Sequence, residues 1–251
     1  NIFTKKNEVN FFLYDLVIID SYSSRSINIK SKVTPVTPFV GMYGYFNGPE
    51  VNRVLFSYHR LNQLISYKNS NSEILKIARS SISISISDQN LIKNEKLPSN
   101  YIAIAVGGEW KHRIYNKWEE IIRLLYIQEK NLNIILVGSV NAINTAQLIL
   151  NNFHHKNIYN CVARFSFNQT AQIISQAKLL LCCDGGLMHA ANAVKTPIVP
   201  LLCRLNATMQ LTESIDNFSL FDRNDVNNIS EIKIIQKYIE ASTFVDNHPQ
   251  V

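Results

Sequence analysis

Between Tyr101 and Leu202, short apolar runs that end in small or glycine residues alternate with stretches of helical spacing. Few folds accept that order. Tyr101–Val106 runs into Gly107-Gly108, and Trp118–Tyr126 then places Trp118, Ile121, Ile122 and Leu125 on one helical face. Leu132–Val137 ends at Gly138 and is followed by a helical stretch over Ala142–Leu150. Ile158–Ala163 and Thr170–Ala177 repeat the pair, and Leu179–Cys183 ends at Asp184-Gly185-Gly186 before a short helix over Leu187–Val194. Ile198–Leu202 is a fifth strand. Strands of this length cannot bury their apolar side chains alone, and each intervening amphipathic helix supplies a crossover, so the pattern predicts βαβ units. Right-handed crossovers then make the sheet parallel and doubly wound, with ligands bound beyond the carboxyl ends of the strands. The glycines fall at those ends.

The flanks are less regular. Tyr14–Ile19 predicts a buried strand ending at Asp20; Val51–Tyr67 and Ser72–Ala78 predict helices. Ser81–Ser87 alternates Ser and Ile, which predicts a strand with one apolar face. Lys93–Asn100 is polar, contains Pro98 and reads as a linker; Asn206–Asp225 is irregular, and Ile229–Ile239 is a last amphipathic helix, expected to pack back toward the N-terminal part. The resulting division is a domain over 1–98, a second over 99–225, and a helix and tail over 226–251. An apolar content of 46% excludes a disordered chain. No apolar run approaches the roughly 20 residues of a membrane-spanning helix. Cys182 and Cys183 lie side by side in an apolar run, as buried thiols do, and together with Cys161 and Cys203 they have no disulfide-framework spacing, which points to a reducing cytoplasm. The net charge of +6 favours an anionic partner such as a phosphate, a nucleotide or an acidic membrane surface. The basic residues are scattered rather than clustered with aromatics, so nucleic acid is not the expected partner.

The chain has no G-x-G-x-x-G after a strand, no phosphate-binding G-x-x-x-x-G-K-[ST], no H-E-x-x-H and no G-x-S-x-G. Its strongest local feature is Cys183-Asp184-Gly185-Gly186-Leu187-Met188-His189-Ala190-Ala191. A strand ends, two glycines allow close approach, and a helix begins whose first N–H groups and dipole suit a phosphate. An ordinary tight turn fits the same residues, and a lone helical histidine such as His189 is more often structural than ligand-binding.

That segment, with Ala193 and Thr196-Pro197, resembles the D-[ST]-G-x-x-H-x-x-A…P signature of glycosyltransferase family nine, the ADP-heptose:lipopolysaccharide heptosyltransferases and their relatives, with Gly185 in place of the usual hydroxyl residue. Lys111-His112-Arg113 followed by Trp118 resembles the family's K-x-W-P segment, whose lysine meets donor phosphate; Lys111 fits by spacing, and Arg113-Ile114-Tyr115 is the other alignment. Leu136-Val137-Gly138-Ser139 resembles its strand-ending element, without the acidic residue that follows there, and Ala163–Gln169 resembles G-k-t-s-L-x-E. The resemblance implies two Rossmann-like domains of the B-type glycosyltransferase fold. Tyr14–Asp20 is similar to a later strand of the family's first domain, so the opening strand and the Gly-Asp loop that carries the base are not found; the N-terminal domain is expected to be incomplete.

The resemblance further implies metal-independent, inverting transfer of a heptose or related sugar from a nucleoside-diphosphate sugar, ADP-heptose first, to a lipopolysaccharide or lipooligosaccharide core or other glycan. No cofactor and no metal site are expected. Lys111, Arg113, Asp184, Gly185, Gly186, Leu187, Met188 and His189 would meet the donor and its diphosphate. Asp20 is the candidate base, although a carboxylate at a strand end more often serves as a cap. Arg25, Lys30 and Lys32 suit an anionic glycolipid acceptor, with peripheral contact at the cytoplasmic face of the inner membrane; His59-Arg60 resembles a family Y-H-R stretch. A chain without the base loop is expected to bind donor and transfer slowly, and a non-catalytic nucleotide-sugar-binding protein is the alternative.

Overall fold

The computed structural model describes residues 15–19, 28, 39–41, 52–64, 68–154, 156–212 and 218–248. Asp20, Arg25, Lys30 and Lys32 lie outside them. Two compact units, Asn1–Ala78 and Arg79–Val251, divide the chain. In the first, β1 (Val17–Ile19) pairs in parallel with β2 (Phe39–Gly41). Helix α1 (Arg53–Leu64) starts where the Asn52 carboxamide accepts the N–H groups of Val54 and Leu55. Helix α2 (Asn71–Ile77) starts at a capping box in which Ser70 and Glu73 each accept the other's backbone N–H. His59 is buried on α1.

The second unit begins with α3 (Ile86–Asn94) and continues through β3 (Ile102–Ala105), α4 (Trp118–Gln128), β4 (Ile134–Val137), α5 (Ile143–Asn152) and β5 (Ile158–Asn160). It is completed by α6 (Phe167–Ser175), β6 (Leu180–Cys183), α7 (Gly186–Ala193), β7 (Ile198–Cys203), α8 (Ala207–Gln210), β8 (Leu220–Asp222) and α9 (Glu231–Asn247). All six strands are parallel, in the order β5-β4-β3-β6-β7-β8. This is the doubly wound Rossmann order. The central strands β3, β4, β6 and β7 are buried along their whole length, as strands covered on both faces must be, whereas the edge strands β5 and β8 are partly exposed.

Alternation along each strand divides the core into two layers. Ile102, Ile104, Ile134, Leu136, Leu181 and Leu201 face α4, α5 and α9. Ala103, Ala105, Ile135, Val137, Leu180 and Cys182 face α3, α6 and α7. On α4 the residues Trp118, Ile121, Ile122 and Leu125 are at most 1% exposed, each worth about 1.5–3 kcal/mol of burial.

Three local expectations fail, each for a physical reason. Ser81–Ser87 forms no strand: the Ser85 hydroxyl accepts the Asp88 N–H at 3.1 Å and starts α3, so capping outcompetes the alternation. The polar stretch 93–100 does not separate the units. Helix α3 packs on α6, with Gln169 Nε2 donating to Asp88 Oδ1 at 2.8 Å and Ile92 in the core, which binds residues 79–100 to the second unit. The last helix, α9, buries Ile234, Ile235, Tyr238 and Ala241 against the α4 layer and β7 of its own unit. Asn206–Asp225, read as irregular, supplies α8 and the sixth strand, β8, whose three residues are too few to show a period. Because α9 closes one face of the sheet, Ile234→Ala should destabilise the second unit by about 2–5 kcal/mol, measured by urea unfolding.

Candidate functional site

The strand order reverses between β3 and β6, whose neighbours lie on opposite sides of the pair. Connections from the two carboxyl ends leave in opposite directions there and open a crevice. A cleft of about 700 Å³ occupies that place, lined by Gly107, Gly108, Arg113, Gly138, Asp184, Gly185 and Gly186 among others.

The glycines around it differ in purpose. A Cβ at Gly107 would lie 2.9 Å from the Cβ of Ala142 and from Asn141 Oδ1, and one at Gly108 would lie 2.8 Å from Ile114 Cγ1. Gly138 has φ +158°, and its Cβ would come 2.7 Å from Ala142. Gly107 and Gly138 let the loops after β3 and β4 interlock, and Gly108 lets the loop after β3 fold tightly on itself. The Asn141 amide donates to the Gly108 carbonyl at 2.6 Å, and Ser139 Oγ donates to Asn141 Oδ1 at 2.8 Å. The polar residues after β4 are thus spent on bracing the cleft wall. At Gly185, by contrast, nothing lies within 4 Å of an added Cβ. Space is kept open above the start of α7.

Helix α7 has no side-chain cap. Met188 and His189 donate their N–H groups to the Gly185 carbonyl, so the N–H groups of Gly186 and Leu187 have no acceptor within the helix; both residues line the cleft. Asp184 directly follows β6 with its side chain only 2% exposed, and its Oδ2 lies 2.9 Å from Nη1 of Arg113, whose side chain is a quarter exposed. Arg113 belongs to a 3₁₀ turn over Lys111–Arg113 on the segment after β3. The pair therefore ties the β3 loop to the end of β6 and holds a guanidinium at the crevice.

The structure brings Arg113, Asp184, Gly185, Gly186 and Leu187 together in the cleft lining. Lys111 is exposed on the same 3₁₀ turn but outside that lining. Met188 is fully buried in the core beneath α7, and His189 is half-buried one turn along, outside the lining. Sequence reasoning missed the apolar walls: Trp110 (56% exposed), Val140 (75%) and Phe167 (52%) all face the cleft, where large exposed apolar side chains suit a flat or apolar ligand group. Their signal was position alone, directly after a strand end or at a helix start. Cys183 also lines the cleft, but burial pushes its thiol up to about 12, so it is no nucleophile at neutral pH. Among the described residues no cluster of His, Cys, Asp and Glu could hold a metal ion, and no helix is long and apolar enough to cross a membrane.

A sequence model of glycosyltransferase family 9 (heptosyltransferase) matches residues 52–239. The chain belongs to that family. It is a glycosyltransferase, as the family's description states. The fold agrees. A family 9 glycosyl transferase from Veillonella parvula superposes with a TM-score of 0.71 at 14% identity, over 92% of this chain and 74% of that one. The Escherichia coli ADP-heptose lipopolysaccharide heptosyltransferase II gives 0.62 at 14% identity, over 93% and 78%. The E. coli heptosyltransferase WaaC, solved with ADP, gives 0.63 at 14% identity, over 92% and 73%. Comparison with curated proteins finds no match. The family 9 chain thus has the B-type glycosyltransferase fold, and its cleft lies at the switch point of a Rossmann-like unit.

Two outcomes follow from the geometry. Arg113→Met leaves the Asp184 carboxylate buried without its cation and should cost about 1–3 kcal/mol, reduced from a fully buried pair by the exposure of Arg113. Arg113→Met combined with Asp184→Asn should cost less than the sum of the two, measured as a double-mutant cycle by chemical denaturation. Burial also raises the thiols of Cys182 and Cys183 above the ordinary value. Unfolded thiols ionise near pH ~8.5 while the folded ones stay protonated. Their contribution to stability is therefore full below that pH and is lost as pH rises toward 12. Urea midpoints should fall as pH rises from about 8.5 to about 10.5, and Cys183→Ala should reduce the fall.

Proposed function

We propose that this glycosyltransferase moves a heptose or related sugar from a nucleoside-diphosphate sugar, ADP-heptose in the first place, to a lipopolysaccharide or lipooligosaccharide core or another glycan, with inversion and without a metal ion. The observation that carries the reading is the open start of α7 beside the Arg113–Asp184 pair, at the switch point of a Rossmann-ordered sheet. Two relatives of the same fold are described with ADP or as using ADP-heptose. The donor diphosphate would lie on the N–H groups of Gly186 and Leu187, where unpaired donors and the helix dipole favour anions. Arg113, held in place by Asp184, and Lys111 on the same turn would neutralise the charge that grows on the diphosphate as the sugar leaves. Trp110, Val140 and Phe167 would cover the less polar parts of the donor.

The other half of the reaction is deprotonation of the acceptor hydroxyl, which needs a carboxylate or histidine in reach. Asp20 is the candidate for that base. In this reading the second unit serves the donor, the first serves the acceptor, and the acceptor is an anionic glycolipid or glycan met at the cytoplasmic face of the inner membrane. Donor binding and transfer are then separable properties of different residues.

The test measures both. Calorimetry with ADP should show Lys111→Ala and Arg113→Ala each weakening binding by about 1–3 kcal/mol, as expected for lost charge-assisted contacts. Gly185→Ser, which has room for its side chain, should keep or improve ADP affinity. Asp20→Asn should leave ADP affinity unchanged and slow heptose transfer from ADP-heptose to heptose-deficient lipopolysaccharide by roughly 10²–10⁴-fold. ADP affinity indifferent to both cations would remove the diphosphate from this cleft.

A further inference from the structure

Arg113 is the cation among the residues that line the cleft, yet the segment bearing it has little regular structure of its own. Between β3 and α4 the chain forms a 3₁₀ turn over Lys111–Arg113. In it the Arg113 N–H donates to the Trp110 carbonyl at 2.8 Å, and the Ile114 N–H to the Lys111 carbonyl at 3.1 Å. Hydrogen-bond geometry in a single 3₁₀ turn is poor, so such a turn does not hold a loop in place by itself. The ion pair with Asp184 ties down the guanidinium but leaves the backbone beneath it to be held by other means.

Two asparagine amides from other parts of the unit grip this segment on either side of Arg113. Before it, the grip is Asn141, whose Nδ2 donates to the Gly108 carbonyl at 2.6 Å while its Oδ1 accepts from Ser139 Oγ at 2.8 Å. A carbonyl only accepts, which fixes the end of the amide that faces Gly108. The amide oxygen lies over Gly107, where an added Cβ would come within 2.9 Å of it. Gly108 in turn lies against the Arg113 main chain, since a Cβ there would be 3.0 Å from the Arg113 carbonyl. After Arg113, the grip is Asn227, in a 3₁₀ turn over Val226–Asn228 that precedes α9. Its Nδ2 donates to the Ile114 carbonyl at 2.9 Å, and its Oδ1 accepts the Asn116 N–H at 2.9 Å. Asp225 Oδ1 also accepts from that Nδ2, at 2.7 Å, and keeps the amide in this orientation. The contacts to Gly108 and Ile114 span 33 and 113 residues of sequence, so they fasten the loop to the rest of the unit rather than to itself.

From these contacts we infer that Asn141 and Asn227 are positioning residues for Arg113: by gripping its segment on both sides they set where the guanidinium stands when a donor diphosphate arrives. The inference rests on the donor reading of the cleft for its ligand, while the grip itself rests on the hydrogen bonds. A cation stabilises developing charge best when it is already in place and need not reorganise. A misplacement of about 1 Å can cost roughly 10²-fold in rate. Asn227 lies outside the cleft lining and reaches a ligand only through the loop, whereas Asn141 lines the cleft, where direct contact with a ligand is the competing role. The two roles differ in one respect. Positioning acts through Arg113 and vanishes without it; a direct contact does not.

The experiment is a double-mutant cycle read in ADP affinity by calorimetry. Asn141→Asp keeps the size of the side chain but cannot donate to the Gly108 carbonyl, and Asn227→Ala removes the other grip. Each should weaken ADP binding about three- to tenfold in otherwise wild-type protein and by less than about twofold in Arg113→Ala protein. Equal losses with and without Arg113 would overturn the proposal, making Asn141 a direct ligand contact and Asn227 a general support of the fold. Unchanged ADP affinity in both single variants would also overturn it. Should Asn141→Asp fail to fold, Ser139→Ala loses only the bond that orients the amide; its expected loss is about twofold, again only with Arg113 present. In transfer assays at saturating ADP-heptose, Asn227→Ala should lower kcat about tenfold and leave KM for the acceptor unchanged; a change in acceptor KM alone would overturn the proposal. Wild-type protein that shows the coupling in ADP affinity but transfers no sugar would count against the sugar-transfer reading and support the grip. Wild-type protein that ignores ADP would remove the donor from the cleft, and urea midpoints would then decide: Asn227→Ala and Arg113→Ala together should lower the midpoint by less than the sum of their separate effects, and strict additivity would overturn the grip.

Discussion

The parallel pairing of β3 with β6 is the constraint on which the second unit depends. Ala103 faces Leu180 and Ile104 faces Leu181. These strands are separated in sequence by three helical crossovers, so their pairing closes the sheet and sets both core layers. It also places two Gly-Gly segments, 107–108 and 185–186, on either side of one crevice. Slipping this pair by one residue would turn every side chain of a strand to the wrong layer. With both faces covered by helices, there is no solvated face to absorb such an error.

Around the crevice, glycine serves two opposed needs. Gly107 and Gly138 have no room for a Cβ, because the loops after β3 and β4 interlock there, and Gly108 has none because its own loop folds back on it. Gly185 has room, and its neighbour opens a helix whose first N–H groups are left without internal acceptors. Tight packing on one side meets an uncapped helix start with free space above it on the other. The Arg113–Asp184 pair joins the two sides. A cation already fixed by a buried carboxylate needs little reorganisation when charge develops on a bound group.

Backbone strain is concentrated in the loops. Ala163, Lys195 and Arg204 are the non-glycine residues with positive φ among those described. Ala163 lies at the cleft, where its N–H donates to the Gly138 carbonyl at 2.9 Å, and Arg204 follows β7. An L-residue in this region costs roughly 1–2 kcal/mol. Helices and strands of the unit are regular and well buried, so they can hold such turns. Two of the three lie beyond the carboxyl ends of strands, where ligands of this architecture bind.

Much of this was written in the sequence. The run from Tyr101 to Leu202 determines five of the six strands, the helices between them and the glycine turns, because burial on both faces demands apolar strands and one-faced helices, and both leave periodic traces. The phosphate-binding look of Asp184 to Ala191 is equally local, since a strand end, two glycines and a helix start lie within a few residues. What only the tertiary structure decided depends on separation. Nothing in the sequence says that Arg113 meets Asp184 or that α9 returns to α4, because each joins residues that only the sheet order brings together. Ser81–Ser87 shows the opposite failure: its alternation suits a strand, but a strand needs a partner, and the Ser85 cap with the packing of α3 on α6 offered the backbone a better arrangement.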